Sequence, residues 1–189
     1  MNSINKIREL KGGRLLTIRI PKAEDKDAQQ LLDHVSKINA ETDFLIREAD
    51  EFDFTLKKQK SFIKARINSE INLFIVGEVD GTIIGSCILS GSTLRREKHK
   101  VDLGISIQRD YWGLGIGRSL MAVAMGWAKE KNIDKITLKV DASNYRAVAL
   151  YESLGFEVEG RLLKDKYMSD GSYRNSYLMG LILDKKVEK

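Results

Sequence analysis

The sequence predicts a mixed α/β sheet: an antiparallel meander, then a strand-helix-strand-helix unit, then a closing hairpin. Three observations carry this. Asp80-Gly81 joins two β-rich runs, Leu73 to Val79 and Thr82 to Leu89, and that dipeptide is a favoured two-residue hairpin turn. Val101 to Ile107 alternates, with Val101, Leu103, Ile105 and Ile107 apolar and Asp102, Gly104 and Ser106 facing the other way. Beyond it, segments of helical period alternate with the short β-rich run Ile136 to Val140.

Along the chain, Leu15 to Ile20 reads as a strand stopped by Pro21, the only proline. Glu24 and Asp25 suit a helix start, and Leu31, Leu32, Val35 and Ile38 recur at helical spacing. From Glu41 to Asp53 six acids stand against one base, Arg47, in what reads as a loop with irregular helix. Thr55 is the expected cap of a second helix ending near Asn68. A helix is expected from about Gly117 to Lys131 and another over Tyr145 to Leu154. Phe156 to about Tyr167 and Tyr173 to Leu183 form the closing hairpin around Ser169-Asp170-Gly171.

Composition narrows the function. The 189 residues suit one domain, 1–189, with its core over about 15–183. No apolar run approaches the roughly 20 residues of a membrane helix, and the N-terminus lacks the apolar core of a signal peptide. The single cysteine, Cys87, excludes an internal disulfide; a cytoplasmic protein is the expectation. The basic run Lys57, Lys58, Lys60, Lys64 and Arg66 lies on a helical pattern without interleaved aromatics, which suits a solvated face better than a nucleic-acid surface. No metal site is expected.

The chemistry centres on Trp112-Gly113-Leu114-Gly115-Ile116-Gly117-Arg118-Ser119, between a strand and a helix. Alternating glycines let a ligand approach the backbone, and the first turn of the helix offers unpaired N–H groups at its positive dipole end. That combination suits a phosphate or pyrophosphate. A Walker loop would need Gly-Lys-Ser/Thr where Gly117-Arg118-Ser119 stands. A dinucleotide fingerprint would need glycine at Arg118 or Leu120, and the preceding meander does not suit a doubly wound sheet.

The segment Trp112 to Met121 resembles the acetyl-CoA loop of the GNAT superfamily of N-acetyltransferases, and Asn144 to Phe156 resembles the same family's downstream signature. The two stand in the right order, and the strand and helix order agrees over roughly Leu15 to Leu183. One departure is Trp112, which occupies a place where the family usually carries Gln or Arg.

The resemblance implies a mostly antiparallel sheet of about seven strands with helices on both faces, splayed between strands 101–107 and 136–140. It implies that Ile105, Ser106 and Ile107 pair through backbone groups with the pantetheine arm of acetyl-CoA. The loop residues Trp112, Gly113, Leu114, Gly115, Ile116, Gly117, Arg118 and Ser119 would hold the pyrophosphate, mainly through backbone amides. Asn144 would bind pantetheine or cap a helix. Tyr151 would protonate the departing thiolate or serve as a core aromatic. For the base, Glu48, His99 and Asp102 are candidates.

The implied activity is acetyl transfer from acetyl-CoA to a primary amine by direct attack in a ternary complex. The acidic run from Glu41 favours a small cationic amine. A protein N-terminal acetyltransferase of ribosomal-protein type and a non-catalytic acyl-CoA-binding module are the alternatives, and homodimers are common in the family.

Overall fold

The computed structural model describes residues 4–183. The chain opens with strands β1 (Asn5–Glu9) and β2 (Leu15–Arg19), then helices α1 (Asp25–Glu41) and α2 (Leu56–Ile67). Strands β3 (Asn72–Val79), β4 (Thr82–Gly91) and β5 (Lys100–Ile107) lead to helix α3 (Ile116–Glu130). Strand β6 (Lys135–Asp141), helix α4 (Tyr145–Glu152) and strands β7 (Glu157–Tyr167) and β8 (Tyr173–Ile182) complete it. The eight strands form one sheet in the order β1-β2-β3-β4-β5-β6-β8-β7. Every neighbouring pair is antiparallel except β5 and β6.

The expected elements are present, and β1 is an eighth strand beyond the expected seven. All five of its residues are exposed, so no alternation marks it in the sequence. Asp80 and Gly81 both adopt positive φ, 50° and 78°, the conformation a tight primed hairpin turn requires. Thr55 caps α2, its hydroxyl accepting from the Lys58 amide at 3.2 Å.

Two cores flank the sheet. On one face Ala28, Leu31 and Ile63 of α1 and α2 pack on Phe74, Val76 and Ile83. On the other, Leu120, Met121, Ala124 and Ala128 of α3 pack on Leu73, Ile75, Ile84, Leu89 and Leu103. Full burial of each such aliphatic side chain contributes about 1.5–3 kcal/mol. Cys87 is fully buried among them, and burial pushes its thiol up to about 12; it fills the core, as does half-buried Trp127. A part-buried ion triad latches α1 to the sheet: Arg19 lies 2.6 Å from both Asp27 and Glu78. Among the described residues, no helix is long and apolar enough to cross a membrane.

The feature that positions the site is the junction of β5 and β6. They pair only over Lys100, Val101 and Asp102 against Lys135, Ile136 and Thr137. Beyond Asp102 they diverge, while β5 stays paired with β4 up to Ile107.

Candidate active site

A cavity of about 440 Å³ opens where β5 and β6 part. The parting also determines which backbone groups face it. Gln108 donates its N–H to the Ile84 carbonyl of β4 at 3.0 Å. Backbone groups alternate sides along a strand, so those of Ile105 and Ile107 point away from β4, into the gap. One is already used: Trp112 Nε1 donates to the Ile107 carbonyl at 2.8 Å. The Ile105 N–H and C=O and the Ile107 N–H remain for a ligand.

The glycine turn forms one wall. Gly113 and Gly115 have φ of 79° and 76°, a region side chains disfavour. Gly115 is the N-cap of α3, and the amides of Ile116, Gly117 and Arg118 follow at the helix start, where intrahelical acceptors are lacking. A Cβ at Gly117 would meet Leu150 at 3.0 Å and Ile107 at 3.3 Å, so glycine lets α3, α4 and β5 close around the turn. Ser119 accepts from Arg8 Nη1 at 2.6 Å, and the same nitrogen donates to the Gly115 carbonyl at 3.2 Å. Arg118 is engaged, donating to Ser153 Oγ at 2.7 Å. Trp112 lies between two guanidinium groups, Arg109 at 5.8 Å and Arg146 at 5.6 Å from its ring. Of the two, Arg146 also lines the cavity, while the Arg109 guanidinium donates to the Glu41 carbonyl.

Tyr151 and Asn144 reach the opposite wall, with Ala147 and Leu150. Tyr151 is 7% exposed, its ring 5.8 Å from that of Phe156. Burial raises the Tyr151 hydroxyl above the ordinary phenol value, so it carries its proton at neutral pH. Asn144 caps α4, its Oδ1 accepting from the Ala147 amide at 3.1 Å. Of the sequence's two readings for Asn144, the cap is the one the fold displays; it leaves the amide Nδ2 outside that bond.

The segment after α1 does line the cavity, with Thr42, Phe44 and Leu45 beside Ile38 of α1. None of its acids lines the cavity, and five of the six are engaged elsewhere. Glu41 accepts from the Arg109 amide at 2.8 Å and lies 3.5 Å from Lys37. Asp43 pairs with Arg174 at 3.3 Å and Asp53 with Lys58 at 3.6 Å. Glu48 and Glu51 cap a short 3-10 turn reciprocally. The closing hairpin braces this segment through Lys166, which donates to the Phe44 carbonyl at 3.2 Å and is ion-paired to buried Asp141.

None of the three candidate bases lines the cavity. Glu48 is exposed at the 3-10 turn, His99 is exposed with its carbonyl taken by the Asp134 and Lys135 amides, and exposed Asp102 accepts from Thr137. A histidine not singled out in the sequence does approach it. His34 of α1 is 1% exposed, and its Nε2 lies 2.9 Å from Ser106 Oγ. The legible signal was phase: Ala28, Leu31, His34 and Ile38 are the buried stripe of α1, and a polar residue in an apolar stripe is the informative exception. Among the described residues, no group of three or more His, Cys, Asp or Glu could hold a metal ion.

The sequence profile of the Acetyltransferase (GNAT) family matches residues 38–156. An N-alpha-acetyltransferase of Saccharolobus solfataricus is 30% identical over 178 residues, 88% of this chain and 93% of that one. One from Sulfurisphaera tokodaii is 35% identical over 117 residues, 56% of this chain and only 66% of that one. Among solved structures, an acetyltransferase of GNAT family from Streptococcus pneumoniae superimposes with a TM-score of 0.83 at 31% identity, covering 89% of this chain and 99% of that one.

Proposed function

This chain belongs to the acetyltransferase (GNAT) family and is an N-acetyltransferase, and from that premise we propose that it moves the acetyl group of acetyl-CoA directly to a primary amine within a ternary complex. The observation that carries this is the meeting of three features at one cavity: the backbone groups of Ile105 and the Ile107 N–H left without a strand partner, the glycine turn, and Tyr151. We read residues 1–189 as one acetyltransferase domain.

In this reading the amides of Gly113 and Ile116 to Arg118 hold the pyrophosphate, with Ser119, Arg8 and the guanidinium groups around Trp112 nearby. The free groups of Ile105 and Ile107 pair with the pantetheine amides as an added strand would, and Asn144 Nδ2 donates to the same arm. The thioester then sits in the gap, where a backbone N–H polarises its carbonyl. The amine nitrogen bonds to the carbonyl carbon and the carbon–sulfur bond breaks; the nitrogen's proton passes to solvent water, the sulfur takes one from a side chain, and solvent restores that side chain's proton. Tyr151 supplies the sulfur's proton, its buried hydroxyl staying protonated throughout the neutral range.

The charge argument for a small cationic amine is not the one the cavity favours, because no acid of Glu41 to Asp53 lines it and five of the six, Glu41, Asp43, Glu48, Glu51 and Asp53, are bonded to the chain's own cations and amides. What reaches the cavity from that segment is Thr42, Phe44 and Leu45. We therefore favour an amine carried beside an apolar group, as in the N-terminal residue of a peptide, over a polyamine.

The test is acetyl-CoA binding by calorimetry followed by release of CoA with a panel of amines. Replacement of Tyr151 by Phe should leave acetyl-CoA affinity within about two-fold and lower kcat about 10²-fold or more. Binding without turnover on any amine would instead make the chain a non-catalytic acyl-CoA module.

A further inference from the structure

The two faces of β5 at the cavity are built differently. Ile107 faces α3, its Cδ1 3.3 Å from where a Gly117 Cβ would stand. Ser106, one residue earlier, faces α1, its hydroxyl 2.9 Å from His34 Nε2 and 3.1 Å from Ser86 Oγ of β4. Ile38, one turn beyond His34, lines the cavity with Ser106, Thr42, Phe44 and Leu45. The glycine turn stands against the Ile107 face, so the Ser106 side is the one left to the acceptor.

We propose that the Ser106 hydroxyl holds the acceptor amine against the thioester by accepting one of its N–H bonds, and that His34 is the positioning residue that fixes this hydroxyl. The proposal rests on reading the cavity as an acetyl-transfer site and concerns the Ser106 side chain alone; contrary to the expectation from sequence, its backbone faces Ser86 of β4 and not the gap, because backbone groups alternate along the strand.

The surrounding hydrogen bonds set the polarity. Buried Gln108 donates through Nε2 to the Ile83 carbonyl at 3.3 Å, which turns its amide nitrogen toward His34 Nδ1 at 3.5 Å. Nδ1 is then the accepting nitrogen, and Nε2 carries the proton and donates it to Ser106 Oγ. In the proposed arrangement Ser106 donates its own proton to Ser86, 3.1 Å away, and keeps an oxygen lone pair for a ligand.

The groups packed about the ring keep it uncharged. From β4 and β5 they are Ser86, Ser106, Gln108 and the Ile83 carbonyl, with no formal charge. From its own helix the charged neighbour is Lys37, held by Asp110 at 2.9 Å. A neutral anchor has a consequence for the reaction. A carboxylate in its place would bind the ammonium form and raise the amine's pKa, whereas a serine oxygen holds N–H without favouring the charge. The amine's lone pair is then available for the thioester carbon. A leucine at position 34 would extend the apolar stripe without buried polar groups to satisfy, so the imidazole serves the hydroxyl rather than the packing.

The experiment is steady-state kinetics of Ser106→Ala, Ser106→Thr, His34→Gln and His34→Phe. Each uses acetyl-CoA with a short peptide bearing a free N-terminus and, in parallel, spermidine. The wild type shows which acceptor is turned over, and thermal melts check folding. Ser106→Ala should lower kcat/KM for the amine about 10- to 100-fold with the KM for acetyl-CoA unchanged, and Ser106→Thr should recover most of the loss. His34→Phe should resemble Ser106→Ala, with His34→Gln between it and the wild type. An active wild type matched by Ser106→Ala, or a Ser106→Ala defect confined to acetyl-CoA binding, would overturn this proposal alone. A wild type that binds acetyl-CoA and is inert toward both of these and toward the whole amine panel would overturn the acetyl-transfer reading and this proposal with it.

Discussion

Burial of His34 carries an energetic signature separate from any role in catalysis. Its desolvation, with Lys37 nearby, lowers the imidazole from 6.5 to about 4. Between those values an unfolded chain binds a proton that the folded chain refuses, so stability rises with pH across this window and is lost as pH falls through it. The full effect of that shift is about 3 kcal/mol at one pKa unit per roughly 1.4 kcal/mol. The buried carboxylates act lower. Burial alone would raise Asp27 and Asp141, but hydrogen bonds from Arg19 and from Lys166 outweigh it and hold both below the usual 3.8. Their contribution is present above that value and is lost as pH falls further. Acid unfolding should therefore show two stages, and His34→Gln should flatten the first. Urea titrations at pH 7, 5.5 and 4.5 would read this as a smaller drop in stability for the variant; equal slopes would refute it. The same residue marks a limit of the sequence. Leu31, Leu32, Val35 and Ile38 fit a helical period, yet the buried stripe contains His34 instead of Val35. Periodicity fixes the helix more firmly than its rotation, and a residue hidden by a one-position shift in phase is lost with it.

Elements show the same division between what local pattern encodes and what only assembly decides. The hairpin at Asp80-Gly81, the Thr55 cap and the glycine turn are written in consecutive residues and were legible, because each follows from backbone conformation or one local bond. Strand β1 was not, since an edge strand with every residue exposed has no face to alternate. Nor was the disposition of the acids after α1, because their partners Arg109 and Arg174 come from distant segments. The unforeseen strand bears on the site. It delivers Arg8 to Gly115 and Ser119, 107 and 111 positions along the chain. If the turn holds the pyrophosphate as proposed, an exposed guanidinium beside it is worth about 1 kcal/mol, or roughly a five-fold change in affinity. Arg8→Ala should raise the Kd for acetyl-CoA by about that factor and leave the kcat of the saturated enzyme unchanged. Affinity equal to wild type in calorimetry at low salt would show that Arg8 only fastens β1 to the loop.

At the scale of the whole molecule, a sheet of eight strands is continuous in order but not in pairing. The halves β1 to β5 and β6 to β8 share the three residue pairs from Lys100 to Asp102, and beyond them the cavity opens beside the Ile105 to Ile107 end of β5. The core on the α3 face runs beneath both halves, joining Leu103 and Leu120 to Ile136, Leu138 and Met179, so side-chain packing continues where backbone pairing stops. Such a junction leaves a backbone edge inside the molecule with its amides uncommitted. Those groups must be solvated in the free protein, and a ligand that replaces their water binds without the sheet having to open. Hydrogen exchange should read this pattern residue by residue. In the free protein the amides of Ile105 and Ile107 should exchange faster than that of Gln108, which is bonded to Ile84. Saturation with acetyl-CoA should slow Ile105 and Ile107 well beyond the general stabilisation of RT ln(1 + [L]/Kd), about 2.7 kcal/mol at a hundred-fold excess over Kd. Slowing spread evenly over β4, β5 and β6 would mean that the ligand merely stabilises the fold. Protection concentrated on these alternating positions would identify β5 as the strand onto which the pantetheine arm pairs.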